Sequence, residues 1–151
     1  MADINWSNLS FSYTKTNTIL TTTFRNGEWS PVESLTDDYI KVSSFAGAFH
    51  YAIECFEGLK AFRGKDGKIR VFRMKDNAER LQSTCRGILM PELPTEMFCE
   101  MVERVVKLNE RFVPPYESGA SLYIRPLLIG TGAQVGVHPA KEYLFLIFVT
   151  P

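Results

Sequence analysis

DNAERLQSTCRGILMPELPTEMFCEMVERVVKLNERFVPP, residues Asp76 to Pro115, is the stretch that decides the fold. Its apolar residues recur at the three- and four-residue steps of a helix: Ala78, Leu81, Cys85, Ile88 and Leu89 first, then Phe98, Met101, Val102, Val105, Leu108 and Phe112. Asp76 followed by Glu79 reads as a capping-box variant at the start, and Pro91 and Pro94 end the first helix. Thr95 offers a cap for the second, which Pro114-Pro115 closes. Two consecutive helices are predicted with no strand between them.

Strand signals flank this block on both sides. Upstream, Thr18 to Phe24 is β-branched or aromatic, and Asn26-Gly27 supplies the positive φ angles of a tight turn before Trp29. Leu59 to Phe62 and Ile69 to Phe72 enclose Asp66-Gly67, a second hairpin signal. Downstream, Ser121 to Ile129 reads as a strand, Gly130 to Gly136 as a glycine-rich loop, and Glu142 to Thr150 as a near-continuous apolar strand. Strands, two helices, strands: this segregation predicts an α+β domain with a mostly antiparallel sheet and the two consecutive helices packed on one side, not alternating βαβ units. A chain that stops beside its most hydrophobic strand is expected either to pair that strand from elsewhere or to continue past Pro151.

The 151 residues, 45% of them hydrophobic, suffice for one domain with its own core. Seventeen basic residues offset seventeen acidic ones, so no net field favours nucleic acid or an anionic membrane. Small molecules or other protein surfaces are the expected partners. Cys55, Cys85 and Cys99 are odd in number and lack CxxC spacing, which argues against a disulfide framework and a zinc site and for a reducing, cytoplasmic setting. The opening ten residues lack the basic and apolar regions of a signal peptide, and the longest apolar run, Tyr143 to Val149, is too short to cross a bilayer.

Generic catalytic signatures are missing: no P-loop, GxGxxG, HExxH or GxSxG occurs, and no metal site is expected. His50 and His138 are isolated and read as hydrogen-bonded structural residues. Tyr123-Ile124-Arg125-Pro126 is more informative. On a strand Tyr123 and Arg125 face the same side, and a guanidinium beside a phenol suits recognition of a carboxylate. Gly58, after Phe56-Glu57, permits positive φ or close approach of backbone to a ligand. Arg80 lies off the apolar stripe of the first helix, where it can reach a phosphate or simply be solvated.

The stretches HYAIECFEGLKAF (50–62), VFR (71–73), NAERL (77–81), SLYIRPLLIG (121–130) and VGV (135–137), in this order and spacing, resemble branched-chain amino acid aminotransferases, with further similarity from Phe11 to Trp29. The resemblance implies a fold-type IV enzyme that uses pyridoxal 5'-phosphate to transaminate leucine, isoleucine and valine with 2-oxoglutarate, as a homodimer of two-domain subunits. Residues 1–151 then correspond to the N-terminal domain. Arg80 matches the arginine for the cofactor phosphate, and Tyr123 and Arg125 match residues near the substrate carboxylate. Phe11, Tyr51 and Phe56 match residues of the side-chain pocket, with Tyr51 and Val137 reaching across the dimer interface.

The Schiff-base lysine of such enzymes belongs to the C-terminal domain, and neither Lys60 nor Lys141 matches its motif. The chain alone is therefore expected to be inactive and to bind cofactor weakly, with its own C-terminal domain as a partner. The alternatives are a D-amino acid aminotransferase or aminodeoxychorismate lyase, or a non-catalytic binding or dimerisation module on the same fold. Tyr123-Ile124-Arg125-Pro126 favours the branched-chain group.

Overall fold

The structure is a computed structural model that describes residues 4–6, 9 and 12–151. Eight strands form one sheet: β1 (Ile19–Arg25), β2 (Glu28–Trp29), β3 (Glu33–Leu35), β4 (Glu54–Phe56), β5 (Leu59–Arg63), β6 (Ile69–Val71), β7 (Leu122–Gly130) and β8 (Glu142–Thr150). A five-residue helix α1 (Gly47–Tyr51) precedes β4, and the two long helices α2 (Met74–Gly87) and α3 (Thr95–Leu108) stand between β6 and β7. Strand order is β2-β1-β8-β7-β5-β6, with β3 also on β1 and β4 also on β7. Every ladder among the described residues is antiparallel, as the α+β reading requires.

The apolar strand β8 is central: β1 covers one edge and β7 the other, so its backbone groups are paired inside this chain. Alternation gives the sheet two faces. Ile124, Leu128, Phe145, Ile147 and Val149 pack with Ala78, Leu81 and Cys85 of α2 and with Phe98, Met101, Val102 and Val105 of α3 in one buried cluster. Tyr123, Arg125, Leu127, Leu146, Phe148 and Thr150 lie on the other face, as the β7–β8 register dictates.

Both hairpin turns form where glycine permits them. Asn26 and Gly27 have φ of 54° and 86°, and Gly67 has φ of 75°. The helix boundaries differ from expectation. α2 begins at Met74, ahead of Asp76, with Arg73 at the N-cap in the left-handed region and no side-chain cap. Asp76 pairs with Arg73 instead, so the local ion pair takes the carboxylate that a capping box would use. α2 ends at Gly87, and Leu89 turns to φ 58°, which leaves Ile88 and Leu89 exposed and off the core stripe. Thr95 is the first residue of α3 rather than its cap, and its hydroxyl accepts from Gln82 Nε2 at 3.2 Å.

α3 also stops earlier than Pro114, at Leu108, which is partly exposed, while Phe112 returns to the core from a following 3-10 turn. The reason is Asn109. Fully buried, it accepts from the Asn17 and Thr18 amides at 2.8 and 3.2 Å and donates to the Thr18 and Val105 carbonyls, tying the helix end to the chain leading into β1. Cys55 and Cys85 are free thiols in the core, their Sγ atoms 3.8 Å apart.

Candidate functional site

A proline in a central strand organises the site. Pro126 has no N–H to give to the neighbouring strand, and opposite it the ladder is interrupted between β4 and β5. The register is the same on both sides of the gap, so Glu57 stands opposite Pro126 and Gly58 opposite Arg125. One bond crosses it, from the Glu57 amide to the Pro126 carbonyl at 2.9 Å. Alternation then sends Phe56 and Gly58 to the open face of the sheet and Glu57 to the helical face.

On the open face the structure brings Phe56, Tyr123 and Arg125 together. Arg125 Nε donates to Tyr123 Oη at 2.8 Å, and the guanidinium lies over the Phe56 ring, 4.4 Å from its centroid. Gly58 is required here. A Cβ at this position would stand 2.8 Å from Tyr123 Oη, so the missing side chain makes room for the phenol.

Beside this cluster the open face forms a cavity of about 480 Å³. Its floor is Leu127, Leu146, Phe148 and Ile19, its polar side is Tyr123, Arg125 and Thr150, and its far wall is Ser12, Tyr13, Thr14 and Thr16 with Asp38 and Ile40. Tyr13 donates a hydrogen bond to Asp38, which raises the phenol's pKa above its ordinary value, and Lys15 lies 3.9 Å from the same carboxylate. An apolar floor with the Arg125 guanidinium and the Tyr123 phenol side by side at its margin suits a small molecule that carries both an aliphatic part and a carboxylate.

Arg80 stands on α2, on the helical side, and is held by Glu57. Nε and Nη2 donate to the two carboxylate oxygens at 2.8 and 2.6 Å, and Nη2 also donates to Asn77 Oδ1 at 3.2 Å. Glu57 is 4% exposed and the Arg80 side chain 67%, so a buried carboxylate orients an arginine that faces solvent. That carboxylate raises the guanidinium's pKa, first through the hydrogen bond and then through charge attraction. The two Nη1 protons take part in none of these bonds and suit an anion such as a phosphate.

The remaining described candidates, Tyr51 and Val137, do not line this cavity. Tyr51 closes α1 and donates its hydroxyl to the Val135 carbonyl, and Val137 projects from the loop between β7 and β8 with 81% of its area exposed. Phe11 falls outside the described residues. His50 and His138 each bond a backbone carbonyl, Ser44 and Pro139, as expected of structural histidines.

No family model matches the chain. Over its whole length it is 44% identical to a branched-chain-amino-acid aminotransferase of Helicobacter pylori and 45% identical to one of Haemophilus influenzae. The chain is a homologue of the branched-chain aminotransferases. It spans 44% of the length of each of those two relatives. The fold agrees: the branched-chain amino acid aminotransferase of Escherichia coli superposes with a TM-score of 0.65 at 22% identity, covering 91% of this chain and 40% of that one. The enzyme of Thermobaculum terrenum, solved in its PLP form, gives 0.66 at 19% identity over 91% and 40%.

Sequence reading missed two parts of the candidate site. Glu57 was visible only as part of Phe56-Glu57-Gly58, and its pairing with Arg80, 23 positions away, has no sequence signal. The cavity floor from Leu146 and Phe148 did have one. A strand apolar at every position from Tyr143 to Val149 must cover two faces, so β8 already implied that something lies on the second.

Proposed function

We propose that this chain is the N-terminal domain of a pyridoxal-phosphate-dependent branched-chain amino acid aminotransferase, in which Arg125 and Tyr123 take the substrate carboxylate. The observation that carries this reading is the Phe56–Tyr123–Arg125 cluster at the edge of an apolar cavity, in a chain similar from end to end to such aminotransferases. The guanidinium is already oriented by Tyr123 and by the Phe56 ring, so little freedom remains to be lost on binding a carboxylate. Phe56, Tyr51 and Val137 supply apolar area for the branched side chain, at about 0.8 kcal/mol per buried methylene. Tyr51 and Val137 act on a second copy of the subunit, which fits their exposure and their absence from the lining of the cavity.

The residues present fit the cofactor phosphate. Arg80 is presented to solvent by a buried partner that neutralises part of its charge without covering its outer edge. When bound, pyridoxal phosphate supplies the electron sink that transamination of an amino acid to a 2-oxo acid needs. This chain's residues bind and orient: Arg80 the phosphate, Arg125 and Tyr123 the carboxylate. The covalent lysine and the proton it moves belong to a C-terminal domain, so residues 1–151 alone are inactive. The setting is cytoplasmic, with amino acids, 2-oxo acids and a second subunit as partners.

The experiment is an absorbance titration with pyridoxal phosphate of the 151-residue chain and of the full gene product that contains it, followed by leucine. A cofactor band that leucine converts to the pyridoxamine form in the longer protein alone is the expected result. The same conversion in the short chain would show that the cofactor lysine lies within residues 1–151.

A further inference from the structure

The loop between β7 and β8 carries two of its apolar side chains outward. Val135 is 78% exposed and Val137 81%, and a contact underneath cannot hold side chains that point into solvent. The base of the loop is anchored by backbone: the Thr131 and Gly132 amides donate to the Glu142 carbonyl, Ala133 bridges Ala46, and the Gln134 amide donates to the Phe45 carbonyl at 3.0 Å. Beyond Gln134 the tip is held by side chains.

Gln134 is the central one. Its side chain turns back under its own loop, and Nε2 donates to the Gly136 carbonyl at 3.1 Å and the His138 carbonyl at 2.9 Å, the residues on either side of Val137. The residue is 7% exposed, and its Oε1 is buried with no hydrogen-bond partner. Such an acceptor is costly to retain, and an apolar side chain of similar length would avoid it, but only by leaving two loop carbonyls without a donor. Gly47 of α1 leaves room for both Ile53 and the carboxamide: a Cβ there would lie 2.6 Å from Ile53 Cδ1 and 3.0 Å from Oε1. The same helix ends in Tyr51, whose hydroxyl holds the Val135 carbonyl.

We propose that Gln134 is a positioning residue, whose carboxamide clasps the carbonyls of Gly136 and His138 and so holds Val137 at the point from which it selects the substrate side chain. This rests on the reading of Val137 and Tyr51 as side-chain pocket residues given above. Two elements meet at this clasp. Tyr51 grips the loop from α1, and Gln134 grips it from within, so the spacing between the two pocket residues is set by three bonds to carbonyls 135, 136 and 138. Without the carboxamide the carbonyls of Gly136 and His138 turn to water and Val137 loses its fixed direction.

The test uses the full gene product as wild type, Gln134→Ala, Val137→Ala and the double variant. For Gln134→Ala the ratio of kcat/KM for leucine to that for alanine is expected to fall about tenfold, and the double variant to fall no further than Val137→Ala, because a clasp with nothing to position contributes nothing. Backbone hydrogen exchange supplies a readout independent of activity: amides of residues 134–138 exchange about tenfold faster in Gln134→Ala while those of β7 and β8 keep their protection. If Gln134→Ala fails to fold, Gln134→Met fills the same space without the two donated bonds and is expected to shift ratio and exchange in the same direction. Independent, multiplying effects of the two substitutions, or unchanged loop exchange, would overturn the positioning role. A wild-type protein that does not transaminate leucine would overturn the functional reading and the selection step with it, and unchanged exchange alone would overturn the clasp with that reading intact.

Discussion

Removing Arg80 should destabilise the domain more than removing the charge of its partner, and removing both should restore part of the loss. The reason is asymmetric burial. Glu57 is 4% exposed, so Arg80→Ala leaves a carboxylate on the helical face of the sheet without its two charge-assisted bonds of 2.6 and 2.8 Å. An uncompensated buried charge costs roughly 3–5 kcal/mol. Here the lower end applies, about 3 kcal/mol, because the outer part of the site is open to water that screens the pair. In Glu57→Gln the shape is kept and the exposed guanidinium returns to solvent at little cost, so the loss is about 1 kcal/mol. In the double variant no charge remains to be buried, and stability should lie about 1–2 kcal/mol above that of Arg80→Ala. Urea unfolding of the four proteins, read by circular dichroism with a common slope, measures each difference. A double variant as unstable as the sum of the singles would refute the reasoning, because the cost would then lie in lost packing rather than in a stranded carboxylate.

Three further outcomes follow from the same structure. Gly58→Ala brings a methyl to 2.8 Å from Tyr123 Oη, closer than van der Waals contact, so the phenol is pushed from its present position beside Arg125; in the full gene product KM for leucine should rise about tenfold, and an unchanged KM would detach Tyr123 from carboxylate binding. Phe145→Ala empties a fully buried site against Phe98, whose ring centroid is 6.2 Å away, and should cost about 3–5 kcal/mol in urea unfolding; a loss well below 2 kcal/mol would mean that the core collapses around the gap. Asp66 should titrate at about 2 because Arg70 hydrogen-bonds its carboxylate, with the Lys68 amide second. Its folded pKa lies below the ordinary 3.8, so the contribution to the β5–β6 hairpin is complete above that value and is lost as pH falls through about 2; a carboxyl NMR titration near 3.8, or no return toward 3.8 in Arg70→Ala, would sink the assignment.

Much of this domain was legible in its residues. The helical periodicity of Ala78, Leu81 and Cys85 and of Phe98 to Val105 identifies the two buried stripes, because a helix repeats its face every three or four positions whatever it packs against. Asn26-Gly27 and Asp66-Gly67 mark the hairpins, since few residues accept a positive φ there. Same-face placement of Tyr123 and Arg125 follows from the period of a strand alone, and the order of the motifs by itself carries the resemblance to branched-chain aminotransferases. Helix ends were less legible. At Arg73, Leu89 and Asn109 the boundary is set by partners distant in sequence or by a left-handed residue that no cap rule anticipates.

What only the tertiary structure decided is which residues meet. Pro126 interrupts the ladder opposite Glu57 because β4 and β5 share one register against β7, and that register depends on all the pairs on either side of the gap. From it follow the buried carboxylate beneath Arg80, the phenol in the space that Gly58 leaves, and a cavity on a sheet face that β8 alone could only imply. The sequence by itself determined the elements, their faces and the kind of chemistry, because periodicity and turn residues act over a few positions. Pairings across 23 or more positions, such as Glu57 with Arg80, arise from the competition of whole faces for burial, and only the folded chain resolves it.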